Sequence, residues 1–249
     1  MIFSTEIDSS LLFWHNDSLM IFTTLIAAAS LTFAESFPLL REQADWSEIV
    51  RLGEAAAAEI HGQLASSYFY QGDFESAKKH ALLCLDQEKI HGLYLLSAVA
   101  RAEGNFAEAK RLAAEALPLS TGELRAKVLF NLGAACADNP EGNLQEALSA
   151  FDEALTLFEC PEDRQRTLIR LGKVHLLLGN LLEAEQISNK LEFVSERTSL
   201  HAAYLSAQIQ QALGRTEEAR KIASAALEQA LRLGAKKDAE RISAFLEGL

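Results

Sequence analysis

The chain contains little proline and little cysteine. Only 4 of its 249 residues are proline and it has no low-complexity tract, which argues against a disordered region. Its 3 cysteines, Cys84, Cys136 and Cys160, lie far apart and form no CxxC pair, so the sequence indicates neither a disulfide framework nor a zinc site. We expect Cys84 and Cys136 to be buried in helices and Cys160 to lie in a linker.

The chain also lacks runs of basic residues. It has 23 Lys and Arg against 35 Asp and Glu, a formal charge of −12, and no run of five or more cations, which makes nucleic acid an improbable partner. Residues 1–50 supply −6 of this charge, because they contain seven acidic residues and a single basic one, Arg41.

Motifs of catalysis are absent from the sequence as well. It contains no GxxxxGK phosphate loop and no GxSxG elbow, and no two of its 6 histidines stand three or four residues apart on one helix, as an HExxH zinc site requires. Acidic pairs such as Glu217 and Glu218 are adjacent and point to different sides of a helix. The sequence therefore predicts no catalytic residue, no cofactor, no metal site and no small-molecule substrate.

A repeated skeleton is the most informative feature that is present. In five stretches an alanine stands five positions after a glycine, usually with Asn or Asp directly after that glycine. The stretches are GDFESA at 72–77, GNFAEA at 104–109, GNLQEA at 142–147, GNLLEA at 179–184 and GRTEEA at 214–219. Their glycines are 32, 38, 37 and 35 residues apart. A repeat array presents one continuous surface, so this period favours a binding protein over an enzyme.

Each copy is predicted to join two amphipathic helices. In the second copy, Gly104 is expected to end the first helix, because glycine is favoured just past a helix C-terminus, and Asn105 to begin the second. The stripe predicted to be buried on the first helix, at i, i+3, i+4 and i+7, is Leu93, Leu96, Ser97 and Ala100. The stripe on the second helix is Phe106, Ala109, Ala113, Ala116 and Leu117.

Over roughly residues 59–227 the pattern resembles the tetratricopeptide repeat family, whose signature is W-x2-L-G-x2-Y, then A-x3-F, then P. The matching residues are the pairs Leu132-Gly133 and Leu171-Gly172, then Tyr68, and Ala147 with Phe151. No unit has the first Trp, and Pro118 and Pro161 stand a few residues from the closing position. The resemblance implies an all-α fold, a right-handed α-solenoid of helix-turn-helix units.

This resemblance organises the chain into three parts. Residues 1–44 form an N-terminal segment, residues 45–235 form the array, and residues 236–249 form a C-terminal capping helix. Within the array we expect a degenerate unit near 45–57 and five units at about 59–85, 90–117, 124–157, 166–191 and 200–227.

The segment from Leu19 to Ala34 carries no charge over 16 residues. As a helix it would span about 24 Å, short of the roughly 30 Å of bilayer hydrocarbon. A signal peptide needs a basic region before its apolar core, but no Lys or Arg precedes Arg41 in this chain. We expect it to pack on the end of the array in a cytoplasmic protein. The alternative is an exported or membrane-tethered structural or assembly factor that uses this segment as its signal or anchor. If translation began at Met20, the segment would be a compact apolar run ending in Thr32-Phe33-Ala34, an acceptable signal cleavage site.

The resemblance also implies that the first helices line a concave groove in which an extended peptide or a helix docks. Of 20 positions placed in this groove, four are basic and one is acidic, so the groove is predicted to be positive. The residues assigned to partner binding are Phe69, Tyr94, Arg101, Lys127, Phe130, Arg166, Lys173, Tyr204 and Gln208. The alternative interpretation is that these aromatics fill gaps between repeats and that the cations pair with neighbouring acids.

The function predicted from the sequence is a non-enzymatic protein–protein interaction scaffold that acts as an adaptor, assembly factor or chaperone-like protein. Its partner would be a protein or peptide with an acidic and partly apolar segment, and self-association is a further possibility. Gly62 and Ser66 occupy positions where a carboxylate clamp for chaperone C-termini would need a cation and an amide, which disfavours that specialised role.

Overall fold

The computed structural model describes residues 60–86 and 88–249, and within these ranges all regular structure is helical. This confirms the predicted all-α fold class. The helices are α1 (60–71), α2 (Phe74–Leu85), α3 (Lys89–Ala102), α4 (Phe106–Ala116), α5 (Gly122–Asp138), α6 (Leu144–Leu157), α7 (Pro161–Leu177), α8 (Leu181–Ser188), α9 (Glu196–Ala212), α10 (Thr216–Arg232) and α11 (Lys236–Glu247), with a 3-10 turn at Leu117–Leu119. The segment 1–44 and the degenerate unit near 45–57 lie outside the described residues.

The repeated glycine ends the first helix of a unit in a left-handed conformation. Gly104 has φ 80°, its N–H donates to the carbonyl of Arg101, and the N–H of Asn105 donates to the carbonyl of Ala100. These two bonds form a Schellman motif, which satisfies carbonyls that the helix end would otherwise leave unpaired. The same pair of bonds occurs at Gly72, Gly179 and Gly214.

The repeated alanine closes the first turn of the second helix. The N–H of Ala109 donates to the carbonyl of Asn105, whose side chain accepts from the N–H of Glu108. Ala109 is 0% exposed, and so is the alanine of each of the other four predicted copies. A larger side chain would have to displace its neighbours, so close packing explains why the skeleton requires alanine there.

Gly142 serves another purpose, since its φ is not positive. A Cβ on Gly142 would lie 1.8 Å from the carbonyl oxygen of Cys136, so only glycine permits this approach of the two backbones. The N–H of Gly142 donates to Asn139, and the side chain of Asn143 caps α6. This longer turn accounts for the widest spacing in the series.

The structure reveals a sixth copy of the skeleton, GAKKDA at residues 234–239, which the sequence analysis missed. Gly234 has φ 66° and makes the same Schellman bonds between α10 and α11. Only one helix, rather than a pair of helices, separates Gly234 from Gly214. This copy therefore does not follow the spacing of the other five. Ala239 and Ile242 of α11 then pack against Leu200 and Tyr204 of α9.

The chain divides into two compact units, Met1–Val99 and Ala100–Leu249. Within the second unit each helix from α4 to α11 packs against the next, and α7 also packs against the first helices on both sides of it, α5 and α9. This layering is that of a helical solenoid. The signature residues Gly133 and Phe151 meet in its core, where a Cβ on Gly133 would lie 2.9 Å from the fully buried ring.

Several first helices begin before the starts predicted for their units. Helix α7 begins at Pro161, where proline is favoured because its fixed φ suits the first turn and its missing N–H would be unpaired there anyway. Helix α9 begins at Glu196 because the side chain of Ser195 accepts from the N–H of Thr198. None of the described helices combines the length and the apolarity needed to cross a bilayer.

Candidate functional site

A shared ion pair connects three consecutive first helices. Asp138, the last residue of α5, accepts from the guanidinium of Arg101 on α3 at 2.9 Å and from that of Arg170 on α7 at 2.8 Å. The side chains of Arg101 and Asp138 are only 16% and 21% exposed. One carboxylate therefore links the second, third and fourth repeats.

Two further cations lie on α7 beside Arg170. Arg166 and Lys173 lie one helical turn before and after Arg170 on α7, and Lys173 is close enough to Asp138 for their charges to interact. We call Arg101, Asp138, Arg166, Arg170 and Lys173 the Asp138 cluster. It contains four cations and one carboxylate, and Arg166 also pairs with Asp163 of α7 at 3.3 Å.

The titration behaviour of the cluster reflects this excess of positive charge. Burial opposes ionisation of Asp138, but Arg170 and Arg101 outweigh it and hold the pKa of Asp138 below its ordinary value. Burial lowers the pKa of Arg101 and that of Lys173, and in both cases the charge of Arg170 adds to the effect while Asp138 opposes it. A further anion placed among these side chains would be attracted.

Arg101 also has an unsatisfied donor. Its Nε is buried and has no hydrogen-bond partner among the described residues. A buried donor without an acceptor costs about 1–3 kcal/mol. Such a cost is more readily explained at a functional position than in a network that serves stability alone.

Aromatic surface adjoins the cluster at Phe130. The guanidinium carbon of Arg166 lies 5.6 Å from the centroid of the half-buried Phe130 ring, and this ring packs against Phe151 at 5.7 Å. Lys127, one turn before Phe130 on α5, lies 4.0 Å from Glu123. Arg166 and Phe130 together present a cation on an apolar base.

The remaining predicted residues of the second unit lie on α9. Tyr204 is 9% exposed, packs edge to face against Phe245, and has the guanidinium of Arg241 4.8 Å from its ring. Gln208 lies one turn further along α9 and is half-buried. Tyr204 is therefore used mainly for packing the last helix.

Phe69 and Tyr94 belong to the unit Met1–Val99. Phe69 is half-buried, with ring centroids of Tyr70 and Phe74 at 5.5 and 5.8 Å. Tyr94 is also half-buried, and its ring lies 6.0 Å from that of His91.

Sequence reasoning missed Asp138 and Arg170. Asp138 lies just beyond the positions considered for the groove on the first helix of the third unit, and α5 continues to include it. Arg170 directly precedes the Leu171-Gly172 pair and was not among the positions considered for the groove. The signal that could have found Asp138 is a single acid at the end of a first helix, in a region where the neighbouring first helices carry arginine.

Comparison with known proteins agrees with this architecture. Residues 58–89 match the family model described as tetratricopeptide repeat. The structure of PilF from Pseudomonas aeruginosa superposes with a TM-score of 0.54 at 14% identity, covering 88% of this chain and 98% of that one. The crystal structure of MamA protein gives a TM-score of 0.49 at 19% identity, covering 73% and 96%. No curated protein matches the chain significantly.

At 14% identity the likeness to PilF concerns the fold alone. It agrees with the matched repeat and with the glycine turns and small buried residues that recur along the chain. These findings support the resemblance that the skeleton predicted: residues 58–89 match a tetratricopeptide repeat, and the described part of the chain has the fold of a helical-repeat protein.

Proposed function

We propose that this chain is a non-enzymatic scaffold that binds a segment of a partner protein on the surface formed by its first helices. Tetratricopeptide repeat proteins generally mediate protein–protein interactions. In this chain the Asp138 cluster would select acidic side chains of the partner, and the Phe130 ring would contact apolar ones. An adaptor, assembly factor or chaperone-like role fits such a surface.

The observation that carries the proposal is the charge of the Asp138 cluster in an otherwise acidic protein. The chain has a formal charge of −12, yet Arg101, Arg170 and Lys173 act on one carboxylate, and Arg166 stands one turn from Arg170 on α7. Local charge of the opposite sign to the whole protein steers acidic partners to one place. Arginine also offers a planar fork of donors that matches a carboxylate.

The test uses the full chain and two fluorescent peptides. The first peptide alternates acidic residues with Leu and Phe, and the second replaces each acid with its amide. Binding is followed by fluorescence anisotropy for the wild type, for a variant with Arg166→Glu and Lys173→Glu, and for a control with Lys221→Glu on an exposed position of α10. Each reversal replaces an attraction by a repulsion of about 0.5–1 kcal/mol. Together they should weaken binding by about 10-fold.

The proposal predicts that the wild type and Lys221→Glu prefer the acidic peptide, that the double variant loses this preference, and that salt weakens the binding. Equal binding of both peptides by the wild type would contradict it. So would an effect of Lys221→Glu as large as that of the double variant. Affinity capture from native lysate with the same three proteins would then identify the natural partner.

A further inference from the structure

The end of α2 and the start of α3 bring together three side chains of different ligand types. The Sγ of Cys84, a carboxylate oxygen of Glu88 and a ring nitrogen of His91 all lie within 4.8 Å of one another. Nδ1 of His91 is 3.3 Å from Oε2 of Glu88. Cys84 is fully buried, whereas the side chains of Glu88 and His91 are 49% and 36% exposed.

Backbone geometry explains why these residues meet although seven positions separate Cys84 from His91. The N–H of Glu88 donates to the carbonyl of Cys84 at 2.7 Å, and the carbonyl of Glu88 accepts from the N–H of Gly92 at 2.9 Å. The first bond brings Glu88 next to the end of α2, and the second starts the helical bonding of α3, with Glu88 directly before its first residue. His91 follows three residues later, on the same side of the helix as Glu88.

Gly62 of α1 lies against one side of this group and has no side chain to occupy the space between the ligand atoms. A Cβ on Gly62 would lie 3.2 Å from Cε1 of His91 and 3.7 Å from Sγ of Cys84. The backbone of α1 thus passes directly beside the thiol and the imidazole. The side of Glu88 and His91 remains open to solvent.

We propose that Cys84, Glu88 and His91 bind a divalent transition-metal ion of the zinc class, with water in the remaining coordination position. Sulfur, imidazole nitrogen and carboxylate oxygen are the three protein ligand types of Zn²⁺, and three such ligands with one open position are a common arrangement. A thiol and an imidazole are poor ligands for Mg²⁺ and Ca²⁺, which prefer oxygen. The bound ion would tie α2 to α3.

Without an ion the thiol is protonated at neutral pH. Burial, with the charge of Glu88, raises the pKa of Cys84 to about 11. An ion would have to displace this proton, because metals bind the thiolate.

A pair of imidazoles, His61 and His80, lies in the same unit and provides a competing assignment. The Nδ1 atoms of His61 and His80 are 3.1 Å apart, and His80 stands one helical turn before Cys84 on α2. If these two rings held the ion instead, removal of His80 would abolish binding while Cys84 would be dispensable. Variants of Cys84 and His80 separate the two assignments.

The experiment uses the full chain after treatment with a chelator and dialysis. Zn²⁺ is titrated in competition with a chromophoric chelator, and Co²⁺ is titrated separately, since Co²⁺ bound to thiolate gives a near-ultraviolet charge-transfer band. The variants are Cys84→Ser, Glu88→Gln, His91→Gln and His80→Gln. The matched control is Cys136→Ser, because Cys136 is also buried and burial also raises the pKa of its thiol to about 11.

We expect one ion per chain and a charge-transfer band that Cys136→Ser retains and Cys84→Ser loses. Loss of a residue that merely orients a ligand weakens metal binding by about 10–100-fold, so loss of His91 or of the thiol should weaken it at least 10-fold. Circular dichroism of each variant checks the fold. If Cys84→Ser does not fold, the exposed changes Glu88→Gln and His91→Gln decide the matter through affinity.

Three outcomes would overturn the proposal. The first is no Zn²⁺ or Co²⁺ binding by the wild type in the micromolar range. The second is binding that Cys84→Ser, Glu88→Gln and His91→Gln leave unchanged. The third is binding that only His80→Gln removes, which would assign the ion to the histidine pair.

Discussion

Removal of the charge of Asp138 should destabilise the second unit far more than removal of another aspartate does. In Asp138→Asn the amide occupies the same space and its oxygen can still accept from one guanidinium. The second charge-assisted hydrogen bond is lost, and the positive charges of Arg101 and Arg170 lose the carboxylate that neutralises them. Arg101 is the more deeply buried of the two, so most of the cost falls there.

The magnitude follows from the burial of the partners. A hydrogen bond to a charged group contributes about 1.5–3 kcal/mol, and removal of one partner of a fully buried ion pair costs about 3–5 kcal/mol. Because the side chains of Arg101 and Asp138 keep 16% and 21% of their exposure, water screens part of the remaining charge. We therefore expect Asp138→Asn to reduce the free energy of unfolding by about 2–3 kcal/mol.

Urea denaturation followed by circular dichroism measures this loss, with Asp152→Asn on the exposed face of α6 as the matched control. The control should change the free energy of unfolding by less than about 0.5 kcal/mol. Combining Asp138→Asn with Arg170→Gln should cost less than the sum of the two changes, since it removes one of the uncompensated cations. Equal effects of Asp138→Asn and Asp152→Asn would refute the reasoning.

The same contribution should depend on pH. The pKa of Asp138 is lowered in the folded state, so its stabilising effect is present above the unfolded-state value of about 3.9 and is lost as the pH falls through the lower folded value. The difference in unfolding free energy between wild type and Asp138→Asn should therefore be large at neutral pH and shrink in acid. A difference that stays constant or grows in acid would contradict the sign of this pKa shift.

Three further predictions concern the turns and the thiols. Ala109→Leu overfills a position that is 0% exposed and should cost about 1–3 kcal/mol in thermal or urea unfolding, whereas Ala114→Leu on the exposed side of α4 should cost less than about 0.5 kcal/mol. Gly142→Ala should destabilise the fold more than Gly104→Ala does, because a Cβ at Gly142 would collide with a backbone carbonyl. A Cβ at Gly104 meets nothing within 4 Å, so Gly104→Ala should cost only the strain of a left-handed backbone, about 1–2 kcal/mol. At neutral pH a maleimide should label Cys160 rapidly and the two buried thiols slowly, which mass spectrometry of the labelled chain would show; three equally fast thiols would contradict this.

The fold could be predicted from the sequence because each repeat carries its own local instructions. A glycine that must end one helix and an alanine that must fit beneath the next are required by the backbone and by packing, whatever the neighbouring repeats contain. The buried stripe predicted on α3 is buried in the structure, from Leu93 to Ala100. The sixth copy at Gly234 escaped notice because it follows the same local rule without the period.

The candidate sites could be predicted only in part, because they depend on which residues of different helices face one another. Arg101 and Arg166 were placed on the first helices from the register of the repeat, but Asp138 enters the cluster because α5 continues one residue further and includes it. Likewise Cys84 and His91 belong to separate helices, and no spacing rule for metal ligands on a single helix could join them.

In such a chain the fold and the binding specificity depend on different residues. The skeleton positions tolerate only glycine and alanine, since they are buried or conformationally constrained, so they carry the fold and leave no freedom for specificity. The exposed residues where neighbouring helices meet, such as Glu88 and Lys173, can vary without unfolding the array. Substitutions at these junctions should therefore change what the protein binds, whereas substitutions in the skeleton should change only whether it folds.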